Sequence, residues 1–293
     1  MPNRQAVLAE RYRDALIDVR RRVSTRVERN WRTLGSWNQA DVDRFLAATL
    51  PVVDAGQRRT VSLTDAYLAR ASRTRAVGLP VDDLVGAGVR NGTAPADVYR
   101  RPFVQLWSAL SDGAQFMDAM NAAGVRASQS ASTDISLTMR DAATEFEVAT
   151  DTETEIIGWE RVLDPEACAF CAAASTQRYA YPSPGRVVEL QEKFKTETGG
   201  DGWPMHTNCQ CSIAPVFAEN DRAIKDFNRQ VLRNIKDANA GQDKPYWQAR
   251  HFRVDGQTGE VILPEVAVHE HGELGAVLAD ASHTFTPESA LPG

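Results

Sequence analysis

Cys168-Ala-Phe-Cys171 and His206-Thr-Asn-Cys209-Gln-Cys211 hold every cysteine of the chain, and the rest of the sequence is organised around the stretch between them. A C-x-x-C pair facing an H-x-x-C-x-C cluster offers Cys168, Cys171, His206, Cys209 and Cys211 as soft or borderline ligands, and a structural Zn²⁺ takes four. A C-x-x-C turn lets two thiolates converge on one ion. Positions i and i+2 of an extended segment point the same way, so Cys209 and Cys211 face one side. The expectation is one structural zinc held by Cys168, Cys171, Cys209 and either His206 or Cys211. Two other readings stand beside it: buried reduced cysteines packing as small hydrophobes, and two disulfides, which need an oxidising compartment. The N-terminus, Met-Pro-Asn-Arg, lacks the apolar core of a signal peptide, which argues against secretion and against the disulfides.

Working outward toward the N-terminus, the pattern is helical. Leu8, Tyr12, Leu16, Val19, Val23, Val27 and Trp31 recur at three- and four-residue steps and predict a long amphipathic helix over 3–31. Arginines including Arg20, Arg21, Arg22, Arg26 and Arg29 crowd its other faces. They read either as a basic face for DNA or an acidic partner, or as a solvated face interleaved with Asp14, Asp18 and Glu28. Ser36 followed by Gln39 fits a capping box and opens a second helix reaching about residue 71, with Pro51 expected to kink it. Glycines and prolines break up 77–102. A short helix is expected over 102–110 and a long one over 114–149, whose small inner residues Ala119, Ala123, Gly124, Ala127 and Ala131 read as close packing.

Outward in the other direction the period changes. Ile156, Ile157, Trp159, Val162 and Leu163 predict a strand over 153–163, and 212–217 predicts another. A helix follows over 220–238. A hairpin turning at Asp255-Gly256 is expected over 252–263, then two strands, 266–269 and 274–278, around Gly272. His269 and His271, one residue apart, read as a second metal site or as a strand-end pair facing solvent. The expected architecture is α+β: a helical domain over 1–150 that makes the partner contact, a small zinc-stapled α/β domain over 151–218, and a helix with a β-rich tail over 219–293.

Composition sets bounds. The 293 residues carry a net charge of −6 with 43% hydrophobic residues, so a core is affordable but a dedicated nucleic-acid binder is not indicated. No apolar run is long enough to span a membrane. Every cation before Lys193 is arginine, which reads as a GC-rich genome.

Several of these stretches together resemble the phage head-morphogenesis, or Mu F-like, minor capsid proteins. They are the lead-in Gly158-Trp-Glu-Arg-Val-Leu163, the two cysteine clusters, the continuation Ile213-Ala-Pro-Val-Phe217, and the tail His271-Gly-Glu-Leu-Gly275 with His283-Thr-Phe285. The cysteine-histidine segment is the specific part, and the helical half is compatible with it. The resemblance implies a structural virion protein present in few copies, assembled in the host cytoplasm and placed inside the head near the portal. Its implied partners are the portal protein and/or the major capsid protein, with room for a non-specific DNA contact through the arginines.

The competing reading is a zinc-dependent hydrolase, deaminase- or nuclease-like. Catalytic zinc keeps an open position beside three protein ligands, whereas five candidates here indicate a closed site. His271-Gly-Glu273 imitates the H-x-E of the zinc deaminases, but it follows the C-x-x-C instead of preceding it, and Ala167 stands where proline is required. A thioredoxin-like role for Cys168 and Cys171 lacks its βαβ setting. The expectation is therefore no catalytic residue, no enzyme activity and no small-molecule substrate.

Overall fold

The computed structural model describes residues 4–150, 156, 158–163, 211–216, 226, 229, 230, 233, 253, 254, 261, 262, 266–271, 273 and 275–280. Four helices dominate it: α1 (Arg4–Arg32), α2 (Gln39–Ser72), α3 (Pro95–Ser111) and α4 (Phe116–Thr150). Helix α1 buries Ala9, Tyr12, Leu16, Val23, Val27 and Trp31 along one stripe against α2 and α4. Each large apolar side chain withdrawn from water this way contributes about 1.5–3 kcal/mol. Helix α1 is thus a wall of the bundle, not an extension reaching away from it.

Polar details fix the registers. Tyr12 stacks on Tyr67 with ring centroids 4.1 Å apart, and its hydroxyl shares a 2.7 Å hydrogen bond with Thr64. Burial pushes both phenols upward. Small residues bring the helices close, as their spacing predicts. A Cβ on Gly56 would lie 2.5 Å from Val23 Cγ2 and 2.9 Å from Ile135 Cδ1. Gly124 sits under the Trp31 indole, which donates to the Met120 carbonyl at 3.0 Å.

The entry to α2 differs from the expected capping box. Asn38, not Ser36, is the N-cap, its side chain accepting from the Asp41 amide. The Asp41 carboxylate accepts from the amides of Ser36 (2.7 Å), Trp37 (2.8 Å) and Gly35 (3.2 Å), which winds the loop around it. Those amides hold its carboxyl below the usual range, Ser36 and Trp37 contributing most. Neither proline inside a helix ends one. Helix α2 continues through Pro51, and α3 begins at Pro95 and runs through Pro102 to Ser111. Pro95 occupies the first turn, where proline's missing donor costs nothing.

Among the described residues the strands form three separate antiparallel ribbons: β1 (Gly158–Val162) with β2 (Ser212–Val216), β3 (Arg253–Val254) with β4 (Val261–Ile262), and β5 (Val266–His271) with β6 (Gly275–Asp280). Ribbon β1–β2 pairs Trp159 with Pro215 and Val162 with Ser212. It closes one of two apolar clusters, adding Trp159, Val162, Leu163, Cys211 and Ile213 to Leu16, Leu68, Met139 and Phe146. The second cluster lies toward the other end, around Trp31, Phe45, Phe103 and Leu106.

The α+β expectation is therefore corrected: the described residues form a predominantly helical protein. The β-prone stretches after residue 150 make two-stranded ribbons of two to six residues per strand, not a small α/β domain or a β-rich tail. Four of the five expected zinc ligands lie outside the described residues, among which no group of three or more His, Cys, Asp or Glu is placed to hold a metal ion. No described helix is long and apolar enough to cross a membrane.

Candidate functional site

A buried charge network lies where α3, α4, the segment after α2 and the β5–β6 hairpin meet. A 3-10 turn over Gly86–Arg90 is fastened to α2, where the Gln57 side-chain oxygen accepts from the Gly86 amide at 3.3 Å. Val89 is buried, and Asn91 (φ 49°) and Gly92 (φ 86°) take left-handed backbone to end the turn. This aims Arg90 inward, against α4.

The Arg90 guanidinium uses all its nitrogens. Nε donates to Asp134 Oδ1 at 2.5 Å, one terminal nitrogen to Glu273 Oε1 at 2.9 Å, and the other to the Ser130 carbonyl at 3.3 Å. Tyr99 of α3 donates its hydroxyl to the second Asp134 oxygen at 2.7 Å. Arg101, half a turn on, donates to the second Glu273 oxygen at 2.7 Å. Two cations thus face two carboxylates, and the Glu273 carboxylate, 7% exposed, is gripped from both sides.

The electrostatics follow from burial. Desolvation raises the carboxyl of Asp134 above its usual range, although Arg90 and Tyr99 pull the other way. Burial alone would lower Arg90, but Asp134 and then Glu273 outweigh it and the guanidinium is held more firmly charged. Burial, reinforced by Asp134, pushes the Tyr99 phenol well up. Breaking such a pair leaves an uncompensated buried charge, so the network locks geometry. Each acid is already bound to a guanidinium, and no described side chain here forms a nucleophile–base pair.

Beside Arg90 lies a cavity of about 450 Å³. Leu50, Pro51, Val53, Pro95 and Val98 supply apolar walls, and Gln57, Arg90 and Asp134 contribute the polar edge.

Of the residues that sequence reasoning offered as metal ligands, Cys168, Cys171, His206 and Cys209 lie outside the described residues. Cys211 is described and is 1% exposed within the apolar cluster closed by β1 and β2. His269 and His271 lie on β5, in register with Val277 and Gly275. Glu273, the acid of the H-x-E imitation, is the residue held by Arg90 and Arg101. Arg90, Tyr99, Arg101 and Asp134 were not foreseen. One signal existed: Asp134 stands three residues after Ala131 and seven after Ala127, an acid on an otherwise apolar stripe.

Two surface features complete the picture. Arg22, Arg26 and Arg29 lie on the outer face of α1, with Arg21 and Arg22 paired to Asp18 and Arg32 to Glu28. At the α3–α4 corner Val104, Trp107, Phe116 and Met117 remain 38–59% exposed.

A family model described as VG15 protein matches residues 1–233, a span that includes Arg90, Tyr99, Arg101, Asp134 and the four cysteines but not Glu273. Neither a curated protein nor a solved structure matches the chain.

Proposed function

The chain belongs to the VG15 protein family and is a phage-related protein, and on that premise we propose that it is a structural minor capsid protein of head morphogenesis. It acts inside the head, next to the portal, by contact and not by turnover. The carrying observation is that the family match over 1–233 encloses the Cys168–Cys211 segment, whose motifs resemble those of Mu F-like proteins.

Physical features support this reading. The buried charges of the network, Arg90, Asp134 and Glu273, are spent on one another, and Glu273, the residue a deaminase-like mechanism would need as its proton carrier, is tied to two arginines. Exposed Trp107, Phe116 and Met117 form an apolar corner of the kind that marks protein contacts, and its partner in this proposal is the portal protein. The arginine face of α1 is available for a secondary, salt-sensitive contact with packaged DNA.

Phage lacking this gene tests the proposal. Loss of infectious particles with accumulation of aberrant or unfilled heads, restored by the wild-type chain, supports an assembly role. Normal heads in normal yield, or a nuclease or deaminase activity abolished by Glu273→Gln, would overturn it.

A further inference from the structure

Along α2, Leu50, Val53 and Gln57 follow one another at helical spacing on the face that lines the cavity beside Arg90. A glutamine at the end of an apolar stripe has to satisfy both ends of its amide. Gln57 is 3% exposed, and its side-chain oxygen accepts from the Gly86 amide at 3.3 Å. That bond fixes which end of the side chain is the nitrogen. Nε2 has no hydrogen-bond partner among the described residues, yet it is not one of the side-chain atoms sealed away from accessible space. The space that Gln57 borders is the cavity. A buried donor left unmade is costly, so this one calls for an acceptor in the cavity.

Helix α3 begins at the same wall. Ala94 is its N-cap and makes no side-chain capping bond. The amides of Asp97 and Val98 turn back to the Ala94 carbonyl at 2.9 and 3.3 Å. The Ala96 amide, ahead of them in the first turn, has no acceptor within the helix. The helix start and Gln57 Nε2 thus present donors to one volume of about 450 Å³, a size usual for small-molecule sites. The half-buried Thr93 hydroxyl on this wall has no partner among the described residues and can accept in return.

The charges decide what kind of acceptor fits. Arg90 is paired to Asp134 at 2.5 Å, and Asp54, also on the wall, is paired to Arg58 at 2.8 Å. An anion would meet the two carboxylates. A cation would meet Arg90 and the positive end of α3. A neutral group offends neither. We propose that this cavity binds a neutral, apolar carboxamide, its hydrocarbon part against Leu50, Val53 and Val98, its carbonyl oxygen on Gln57 Nε2 and its amide N–H on the Thr93 hydroxyl. A peptide segment and a free small molecule both carry this chemistry. The proposal stands apart from the virion reading.

The test is saturation-transfer NMR on the full chain at neutral pH, with N-acetyl-leucinamide as the probe. N-acetyl-leucine and leucinamide serve as its anionic and cationic counterparts. The neutral probe should saturate with a Kd on the order of 1 mM or tighter, and each charged counterpart should bind about tenfold more weakly or worse. Gln57→Glu keeps an oxygen for the Gly86 amide and removes the N–H, so affinity for the probe should fall about tenfold. Ala94 is exposed and lines the cavity, which makes Ala94→Trp a plug introduced from outside the core. It should abolish binding while leaving the urea midpoint unchanged. A capped Ala-Leu-Ala tripeptide separates the two sources: tighter binding than the single residue assigns the site to a peptide segment, weaker binding to a free small molecule. No saturable binding of the neutral probe to wild type would overturn the proposal and leave Gln57 Nε2 served by solvent alone. So would tighter binding of either charged counterpart, or a Kd that both variants leave unchanged. None of these outcomes bears on whether the protein is packaged in heads.

Discussion

Gly124→Ala sets two effects of opposite sign against each other. In an unconstrained helix interior alanine is more favourable than glycine by about 1 kcal/mol. Gly124, however, lies in α4 beneath Trp31, and an added Cβ would come within 2.6 Å of the indole Cδ1 and 2.8 Å of Nε1. Relief to ordinary contact needs a shift of about 1 Å. The indole has nowhere to go: it is 2% exposed, with the rings of Phe103, Trp37 and Phe45 centred 4.8, 4.9 and 5.5 Å away. Overpacking of this kind costs about 1–3 kcal/mol, and a disturbed Trp31 bond to the Met120 carbonyl adds about 1 kcal/mol. The net expectation is a loss of about 1–3 kcal/mol, read as a lowered urea midpoint by circular dichroism on the full chain. Combining it with Trp31→Leu removes the clash, so in that background the alanine should stabilise. A Gly124→Ala protein as stable as wild type or more so would refute the close-packed α1–α4 seam.

Asp134→Ala removes the acceptor of Arg90 Nε and of the Tyr99 hydroxyl in the interior and should cost about 3–5 kcal/mol; the double change Arg90→Met with Asp134→Leu should cost less than the single one, and a purely additive result in denaturant titration would contradict the network. The Asp41 carboxyl is held below its usual range by the Ser36 and Trp37 amides, so the folded state binds its proton less readily than the unfolded one. That stability is present above the ordinary aspartate pKa of about 3.9 and is lost as pH falls through the lower folded value. Acid unfolding of Asp41→Asn should show a flatter slope there, and an unchanged slope would sink the assignment. For the cysteine clusters the expectation is one zinc per chain. Because Cys211 packs in the apolar cluster, Cys211→Ser should keep the metal and His206→Ala should lose it; elemental analysis showing no zinc in wild type, or the reverse pattern, refutes this ligand set.

The helices were legible because apolar spacing and core burial are the same fact seen twice: Tyr12, Leu16, Val23, Val27 and Trp31 are both the stripe and the buried face. Their ends were less so. Asp41 outcompetes Ser36 for the loop amides and moves the cap to Asn38, a choice made by three hydrogen bonds that no pattern announces. Spacing puts the start of α3 at Pro102, whereas the first turn holds Pro95. Alternation puts the strands near their positions in the structure, but it says nothing about how many partners a strand finds, and among the described residues these find one each. That is why alternation alone reads as α+β where the described residues are predominantly helical. The clamp was invisible because its members come from residues 90, 99, 101, 134 and 273, joined only by the packing of α3 on α4 and the arrival of the hairpin. The sequence pairs Glu273 with its neighbour His271, whereas the fold pairs it with two distant arginines.

The measurement that bears most directly on the function is mass spectrometry of gradient-purified, nuclease-treated phage particles, with the chain quantified against the major capsid protein. The account predicts the chain in mature or precursor heads at a few copies per particle, retained after the outside is stripped by protease. Its absence from particles at every stage of assembly, with all of it free in the lysate, would contradict the claim that this is a structural component of the head.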